Sequence, residues 1–132
     1  MTAPPIRVRD AAALLGVSDD TVRRWMDSGT LPSHDDETGR KVVDARALAQ
    51  YARETAAPPP EVASGGSSAR NRLVGLVTDV VSDAVMSEVR MQCGPFTIVS
   101  LMSTRSVQEL GLEPGSITVA VVKATTVIVE TP

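Results

Sequence analysis

Midway along this chain of 132 residues, positions 55–67 read Thr-Ala-Ala-Pro-Pro-Pro-Glu-Val-Ala-Ser-Gly-Gly-Ser. This stretch constrains the fold more than any other, because no packed core can be built from it. The prolines make a semi-rigid spacer and the Gly-Gly-Ser end is flexible. The chain is therefore expected to form two small domains, residues 1–54 and 68–132, with 55–67 as the linker. The grammar differs on the two sides: helical punctuation comes before the break, and thirteen valines follow it between positions 68 and 132.

Before the break, Ala11, Ala12, Leu14 and Leu15 have helix-like spacing, and Gly16 suits the left-handed residue that ends a helix. Ser18 is a good N-cap for a second helix running from Asp19 to Met26, and the acids Asp19 and Asp20 suit the dipole of its first turn. Gly29 ends that helix. Two short helices joined through Gly16-Val17-Ser18 make a helix-turn-helix. After Leu31-Pro32, the run from Asp35 to Lys41 predicts a turn with basic residues on its far side, and Val42-Val43 a returning strand; together they make a small wing. Asp44 caps a closing helix with Leu48 and Tyr51 on its inner face. Trp25 is expected to supply the centre of this small core.

The run Ala11-Ala12-Ala13-Leu14-Leu15-Gly16-Val17-Ser18, then Thr21-Val22-Arg23-Arg24-Trp25, Gly29 and Leu31-Pro32, resembles the winged helix-turn-helix of the MerR and excisionase families. In such a module the second helix enters the major groove of DNA. The resemblance implies base contacts from Arg23 and Arg24, phosphate or minor-groove contacts from Arg40 and Lys41, and a phosphate or first-turn role for Thr21. The first block carries eight basic and nine acidic residues. Asp19 and Asp20 thus leave three alternatives: they point away from the duplex, one accepts from a cytosine amino group, or the domain binds DNA weakly.

After the break, residues 73–81 and 84–91 read as strands joined at Ser82-Asp83. A third strand spans 96–102, a short helix 103–110, and two further strands 116–122 and 126–130. Five short strands with a helix after the third predict an OB-like barrel. The fold class expected for the whole chain is α+β: a small winged helix-turn-helix followed by a five-stranded OB-like β-barrel. A domain of about 65 residues buries only about 60% of its unfolded surface, so a second copy is expected to pair with it.

Ser68-Ala69-Arg70-Asn71, Gly75, Ser106-Val107-Gln108-Glu109-Leu110-Gly111-Leu112, Pro114-Gly115 and Val122-Lys123-Ala124-Thr125 together resemble the molbindin (Mop, or TOBE) domain. That resemblance implies molybdate or tungstate as the bound ligand, held between subunits of a homo-oligomer (a dimer or higher), with no organic cofactor. A DNA-binding head on such a domain is similar to the layout of ModE-type molybdate-responsive regulators. A tetrahedral dianion needs positive charge, several donors and no nearby carboxylate. Carried over by motif, the ligand-binding residues are Ser68, Arg70, Ser103, Ser106 and Lys123, with Ala124 and Thr125 adding backbone N–H or hydroxyl. The plainer alternatives are that Arg70 pairs with Glu109 or Asp79, that Lys123 keeps a strand edge soluble, and that Ser103 and Ser106 only cap the short helix.

Composition narrows the rest. The net charge of -3 provides no global field for nucleic acid, so any DNA contact comes from a local patch. Only Trp25, Tyr51 and Phe96 are aromatic, too few for a base-stacking platform. The single cysteine, Cys93, excludes an internal disulfide and fits a reducing cytosol. His34 stands alone in a polar loop, so no metal site is expected, and neither phosphate-loop nor dinucleotide glycine patterns occur. No catalytic constellation emerges. The start lacks an apolar signal region and no apolar run is long enough to cross a bilayer, so the expected location is the cytoplasm. Two functions fit: a molybdate- or tungstate-responsive DNA-binding regulator, or a molybdate storage or buffering protein with no regulatory role.

Overall fold

A computed structural model describes residues 3–57 and 65–132. The chain divides into two compact units, Met1–Pro58 and Pro59–Pro132. Positions 58–64 of the expected linker lie outside the described residues.

The first unit runs β1 (Ile6–Arg7), α1 (Val8–Leu15), α2 (Asp19–Asp27), β2 (Ser33–Asp35), β3 (Lys41–Val43) and α3 (Ala45–Thr55). Gly16 ends α1 at φ +67°, a left-handed conformation that side chains resist, and its N–H bonds back to Ala12 and Ala13. Val17 N–H also reaches Ala12 O, at 3.0 Å. Ser18 Oγ accepts from Thr21 N–H at 3.2 Å and so opens α2. Ala11 and Ala12 meet Val22 and Met26 across the two helices, and Leu31, Val43 and Leu48 complete the core. Its centre is Val22, Leu31 and Val43, each at most 1% exposed. Trp25 packs at the margin instead, edge-on to Tyr51 with ring centroids 4.9 Å apart. The cause is helical phase: Val22 and Met26 lie one turn apart on the inward stripe, and position 25 lies beside it. The strands form an antiparallel sheet in the order β1-β3-β2. Its β2–β3 hairpin covers the stretch expected as a wing.

The second unit runs β4 (Asn71–Ser82), β5 (Met86–Cys93), β6 (Phe96–Ser103), α4 (Thr104–Leu110), β7 (Ile117–Val122) and the single 3₁₀ turn η1 (Ala124–Thr126). The sheet order is β6-β5-β4-β7, antiparallel throughout. Along β5 the inward residues alternate strictly: Ser87, Val89, Met91 and Cys93 are buried, the period of a strand with one face on the core. Val77 from β4 and Val107 from α4 close that core. β4 divides its bonding: positions 71–76 pair with β7, positions 76–82 with β5, and a register shift falls between Val77 and Asp79. The turn into β5 is longer than the two residues expected. Asp83 Oδ1 accepts from Val85 and Met86 N–H, each at 2.7 Å, and β5 begins at Met86.

The expected fifth strand is not formed: among the described residues this sheet has four strands. Thr126 N–H and Oγ1 both bond back to Lys123 O, at 3.0 and 2.9 Å, closing the 3₁₀ turn that ends the line of β7. Beyond it Ile128 and Val129 are 85% and 87% exposed and lie in no strand. Valine and isoleucine favour strands only where a pleated, half-buried surface receives them, and this chain gives positions 127–129 none. Among the described residues no helix is long and apolar enough to cross a membrane.

Gly75 sits where β4 changes partner. A Cβ there would clash with the Gln92 main-chain oxygen and lie 2.6 Å from Cys93 Sγ. Gly75→Ala is expected to destabilise the second unit by about 1–3 kcal/mol, read as a lowered denaturation midpoint. An unchanged midpoint would show that β4 and β5 have slack at this crossing.

Candidate functional site

The sequence-predicted oxyanion ligands collect at two places. Pairing of Asn71 with Val122 at one end of the β4–β7 ladder makes Arg70 and Lys123 the next residues outward on adjoining strands. Asn71 Nδ2–H strengthens that end by donating to Val122 O at 3.1 Å. Arg70 thus lies at the same sheet end as Lys123, and Ser68 and the pair Ala124 and Thr125 follow close by along the chain. Ser67 Oγ accepts from Ala69 N–H at 3.1 Å, turning the chain just before Arg70. In η1 the Lys123 carbonyl is taken by Thr126, so the Ala124 and Thr125 N–H groups have no partner inside the turn and remain as donors.

Neither cation is consumed elsewhere. Among the described residues Arg70 and Lys123 make no ion pair. Glu109, a partner considered for Arg70, is held by Arg105 Nε at 3.1 Å.

Ser103 and Ser106 lie elsewhere. Ser103 pairs with Met86 at the end of the β5–β6 ladder, beside the Ser82–Ser87 end of β4. As N-cap of α4, Ser103 Oγ accepts from Ser106 N–H at 3.1 Å and donates to Ser106 Oγ at 2.8 Å. Its proton is therefore used, and the Ser106 hydroxyl is the one left to donate outward. Between the two groups runs the whole of β4, twelve residues, about 36 Å if it were straight. Strand register thus places the two groups of predicted oxyanion ligands at opposite ends of β4.

In the first unit a cleft of about 450 Å³ is lined by Arg7, Val8, Arg9, Asp19, Arg23, Arg40 and Lys41. It unites three of the predicted DNA-contact residues, Arg23, Arg40 and Lys41. Arg24 lies outside it, in the last turn of α2. Thr21 is occupied locally, its Oγ1 2.9 Å from Ser18 Oγ. Arg7 and Arg9 were not singled out from the sequence. The available signal was an Arg-x-Arg pair flanking a helix start, which means little until β1 is paired beside β3. Asp20 is drawn toward Arg23 Nη1 at 3.8 Å, an exposed contact of little energetic weight.

The hairpin presenting Arg40 and Lys41 is organised by Asp36. Its Oδ1 accepts from Thr38 Oγ1 at 2.6 Å, Thr38 N–H at 2.8 Å and Arg40 N–H at 3.0 Å. The Thr38 hydroxyl first, then the Arg40 and Thr38 amides with the charge of Arg7, hold the Asp36 carboxyl below its ordinary value of 3.8.

A helix-turn-helix unit with a basic cleft, joined to a curled sheet with charged and hydroxyl groups at its ends, defines a two-domain binding protein. Through its second half the chain belongs to the TOBE-domain family: the family model described as TOBE domain matches residues 67–129, and that described as helix-turn-helix domain matches residues 6–56. Molybdenum-pterin-binding protein 2 of Clostridium pasteurianum is 41% identical over 63 residues, covering 47% of this chain and 93% of that protein. A solved molybdate-binding protein from Sporomusa ovata is 33% identical, with a TM-score of 0.49 over 50% of this chain and 98% of its own. The cytoplasmic molybdate-binding protein ModG, with molybdate bound, is 40% identical, with a TM-score of 0.49 over 51% of this chain and 48% of its own. The names of these relatives describe binding, and none names a catalysed reaction.

A depressed carboxyl pKa means that the folded hairpin prefers the ionised form. The contribution of Asp36 to stability is thus present above the unfolded value and lost as pH falls through the lower, folded one. An NMR titration is expected to place the Asp36 carboxyl midpoint below 3.8, with the Thr38 and Arg40 amides shifting in step. A midpoint at or above 3.8 would mean the turn does not hold the carboxylate.

Proposed function

We propose that this chain is a molybdate- or tungstate-responsive DNA-binding transcriptional regulator that senses the oxyanion between copies of its TOBE domain. In this reading residues 1–54 are a winged helix-turn-helix, 55–67 a tether and 68–132 the sensor, and the protein works in the cytoplasm as a homo-oligomer. It binds rather than catalyses, and the oxyanion is its ligand; no organic cofactor takes part.

The observation that carries the reading is the division of the ligand set between the two ends of β4. A buried dianion requires a closed shell of donors and compensating charge. One copy offers Arg70, Lys123, the Ser68 hydroxyl and the Ala124 and Thr125 donors; the Ser103–Ser106 end of a second copy supplies the rest. Exposed apolar surface favours such pairing. An open groove of about 820 Å³ runs between β6 and β7, its lining including the exposed Val99, Leu110, Ile117 and Val121, and Ile128 and Val129 stand exposed nearby in sequence. DNA contact rests on the cleft holding Arg23, Arg40 and Lys41, with Arg24 and Thr21 on the same helix. Regulation further requires that molybdate bind two arrangements of the oligomer with different affinity, since equal affinity shifts nothing.

The second reading is molybdate storage or buffering without a regulatory role. It is favoured by a 41%-identical relative of which 93% is covered by only 63 residues of this chain, leaving that protein little room for a DNA-binding head.

Calorimetry with molybdate, tungstate and sulfate is expected to show binding of the first two, weakened roughly 10- to 100-fold by Arg70→Ala through loss of a charge-assisted contact. Mixing R70A chains with S106A chains should restore a fraction of full-affinity sites, because one interface of each mixed pair is intact. If R70A binds like the unaltered chain, or if mixing restores nothing, the shared site is wrong. Gel-shift titration of duplex DNA with and without molybdate is expected to give different affinities; equal affinities would leave storage as the function.

A further inference from the structure

The cleft of the first unit carries more positive charge than the helix-turn-helix motif supplies. Its walls come from β1 and the start of α1 (Arg7 and Arg9), from the first half of α2 (Asp19 and Arg23) and from the hairpin (Arg40 and Lys41). Five cations face one small space in a block whose acids outnumber its bases by one.

Among the described residues no side-chain hydrogen bond or ion pair uses Arg7 or Arg9. Arg7 is the N-cap of α1 yet makes no side-chain cap bond, and Arg9 lies in the first turn. Cations there oppose the helix dipole, whose N-terminal end carries roughly half a positive charge. Among the described residues neither arginine forms an ion pair. Asp36 is near enough to feel the charge of Arg7, without forming an ion pair with it among the described residues. Two cations thus sit where they weaken the helix and form no ion pair among the described residues, beside two more on the hairpin. That arrangement becomes favourable when a polyanion fills the cleft.

Asp19 gives the cleft a direction. It is the only carboxylate among the lining residues and makes no ion pair among the described residues, whereas its neighbour Asp20 is drawn to Arg23. A phosphate beside Asp19 would be repelled, while a base amino group would be bound, as a carboxylate accepts from cytosine N4.

We propose that the cleft seats one strand of duplex DNA: Arg7, Arg9, Arg40 and Lys41 hold its phosphates, and Asp19 accepts from an exocyclic amino group of a base. Arg7 and Arg9 extend the contact surface beyond the helix-turn-helix, and Asp19 becomes a specificity-determining residue rather than an obstacle to binding. This rests on the DNA-binding reading and adds the layout of the contact.

The test uses the full chain and a labelled duplex selected by it from a randomised pool, with affinity measured over a series of salt concentrations. R7A/R9A is expected to lower the slope of log affinity against log salt by about 2 and to weaken all sequences alike. The control R46A/R53A removes the same charge from α3, outside the cleft, and should leave the slope nearly unchanged. D19N should bind unselected duplex more tightly than the parent and lose its preference at one base position. D27A removes an acid at the far end of α2, outside the cleft, and should keep that preference. Circular dichroism confirms that each variant is folded; a folded R7A/R9A with the parental slope, or D19N selecting the parental sequence, overturns the proposal. If the parent itself shows no salt-dependent duplex binding, the DNA reading falls and this inference with it. Binding by the parent with unaltered variants removes this inference alone.

Discussion

One strand bonding to two different neighbours along its length governs the second unit. β4 gives its first half to β7 and its second half to β5, and the exchange occurs around Gly75, Leu76 and Val77. A side chain at position 75 would meet the β5 backbone, so the close crossing depends on glycine. Without that crossing the sheet would lie flatter, and neither the Val77–Val89–Met91–Val107 core nor the α4 seat would form as it does. Curling also leaves β6 and β7 as separate edges with an apolar groove between them. A sheet in this state meets the usual edge-strand difficulty, which natural proteins relieve by covering or pairing the edge.

The same strand sets the chemistry. Because β4 is long and both its ends carry functional candidates, charge and hydroxyl donors are separated by the element that unites the unit. At the Asn71 end the cations are unpaired among the described residues and the η1 turn leaves N–H donors free. At the Ser82 end the hydroxyls are tied together: Ser82 with Ser87 at 2.6 Å, Ser87 with Thr104 at 2.9 Å, and Ser103 with Ser106 at 2.8 Å. One end offers cations with few fixed bonds, the other hydroxyls fixed by bonds to one another. In the proposed reading the two ends are halves of one shell for a tetrahedral anion, which needs both neutralisation and directed donors.

The first unit solves a different problem, that of producing a local positive field in an acidic chain. Its acids are not evenly spread: Asp36 and Asp44 bind backbone amides of a turn and a helix start, and only Asp19 is among the residues that line the cleft. With a single carboxylate, Asp19, among the residues that line it, the cleft has cations less opposed than a residue count suggests. Net charge is a poor guide at this scale because exposed charges interact over roughly a Debye length, about 8–10 Å. A cleft lined by five basic residues is therefore consistent with a total of -3.

How much was legible in the chain itself follows from the range of the physics. Gly16 and Ser18 mark a helix end and a helix start because caps act within three or four residues, and the strand pattern of β5 is written in strict alternation. Motif spacing likewise pointed to both families. What sequence could not supply depends on pairing across distance. A Val-rich tail at 127–129 has the composition of a strand, but it follows the 3₁₀ turn that ends the line of β7 and joins neither sheet edge, so the fifth strand is not formed. Trp25 was expected at the core's centre, yet helical phase reserves that place for Val22. Arg7 and Arg9 acquire meaning only when β1 pairs with β3 and brings them beside Arg40 and Lys41. The sequence by itself determined which residue types are present and the local elements that carry them, since those rest on backbone sterics and short-range hydrogen bonds. Only the tertiary structure decided which of them become neighbours: the β4–β7 ladder joined Arg70 to Lys123, and the length of β4 kept both from Ser103 and Ser106.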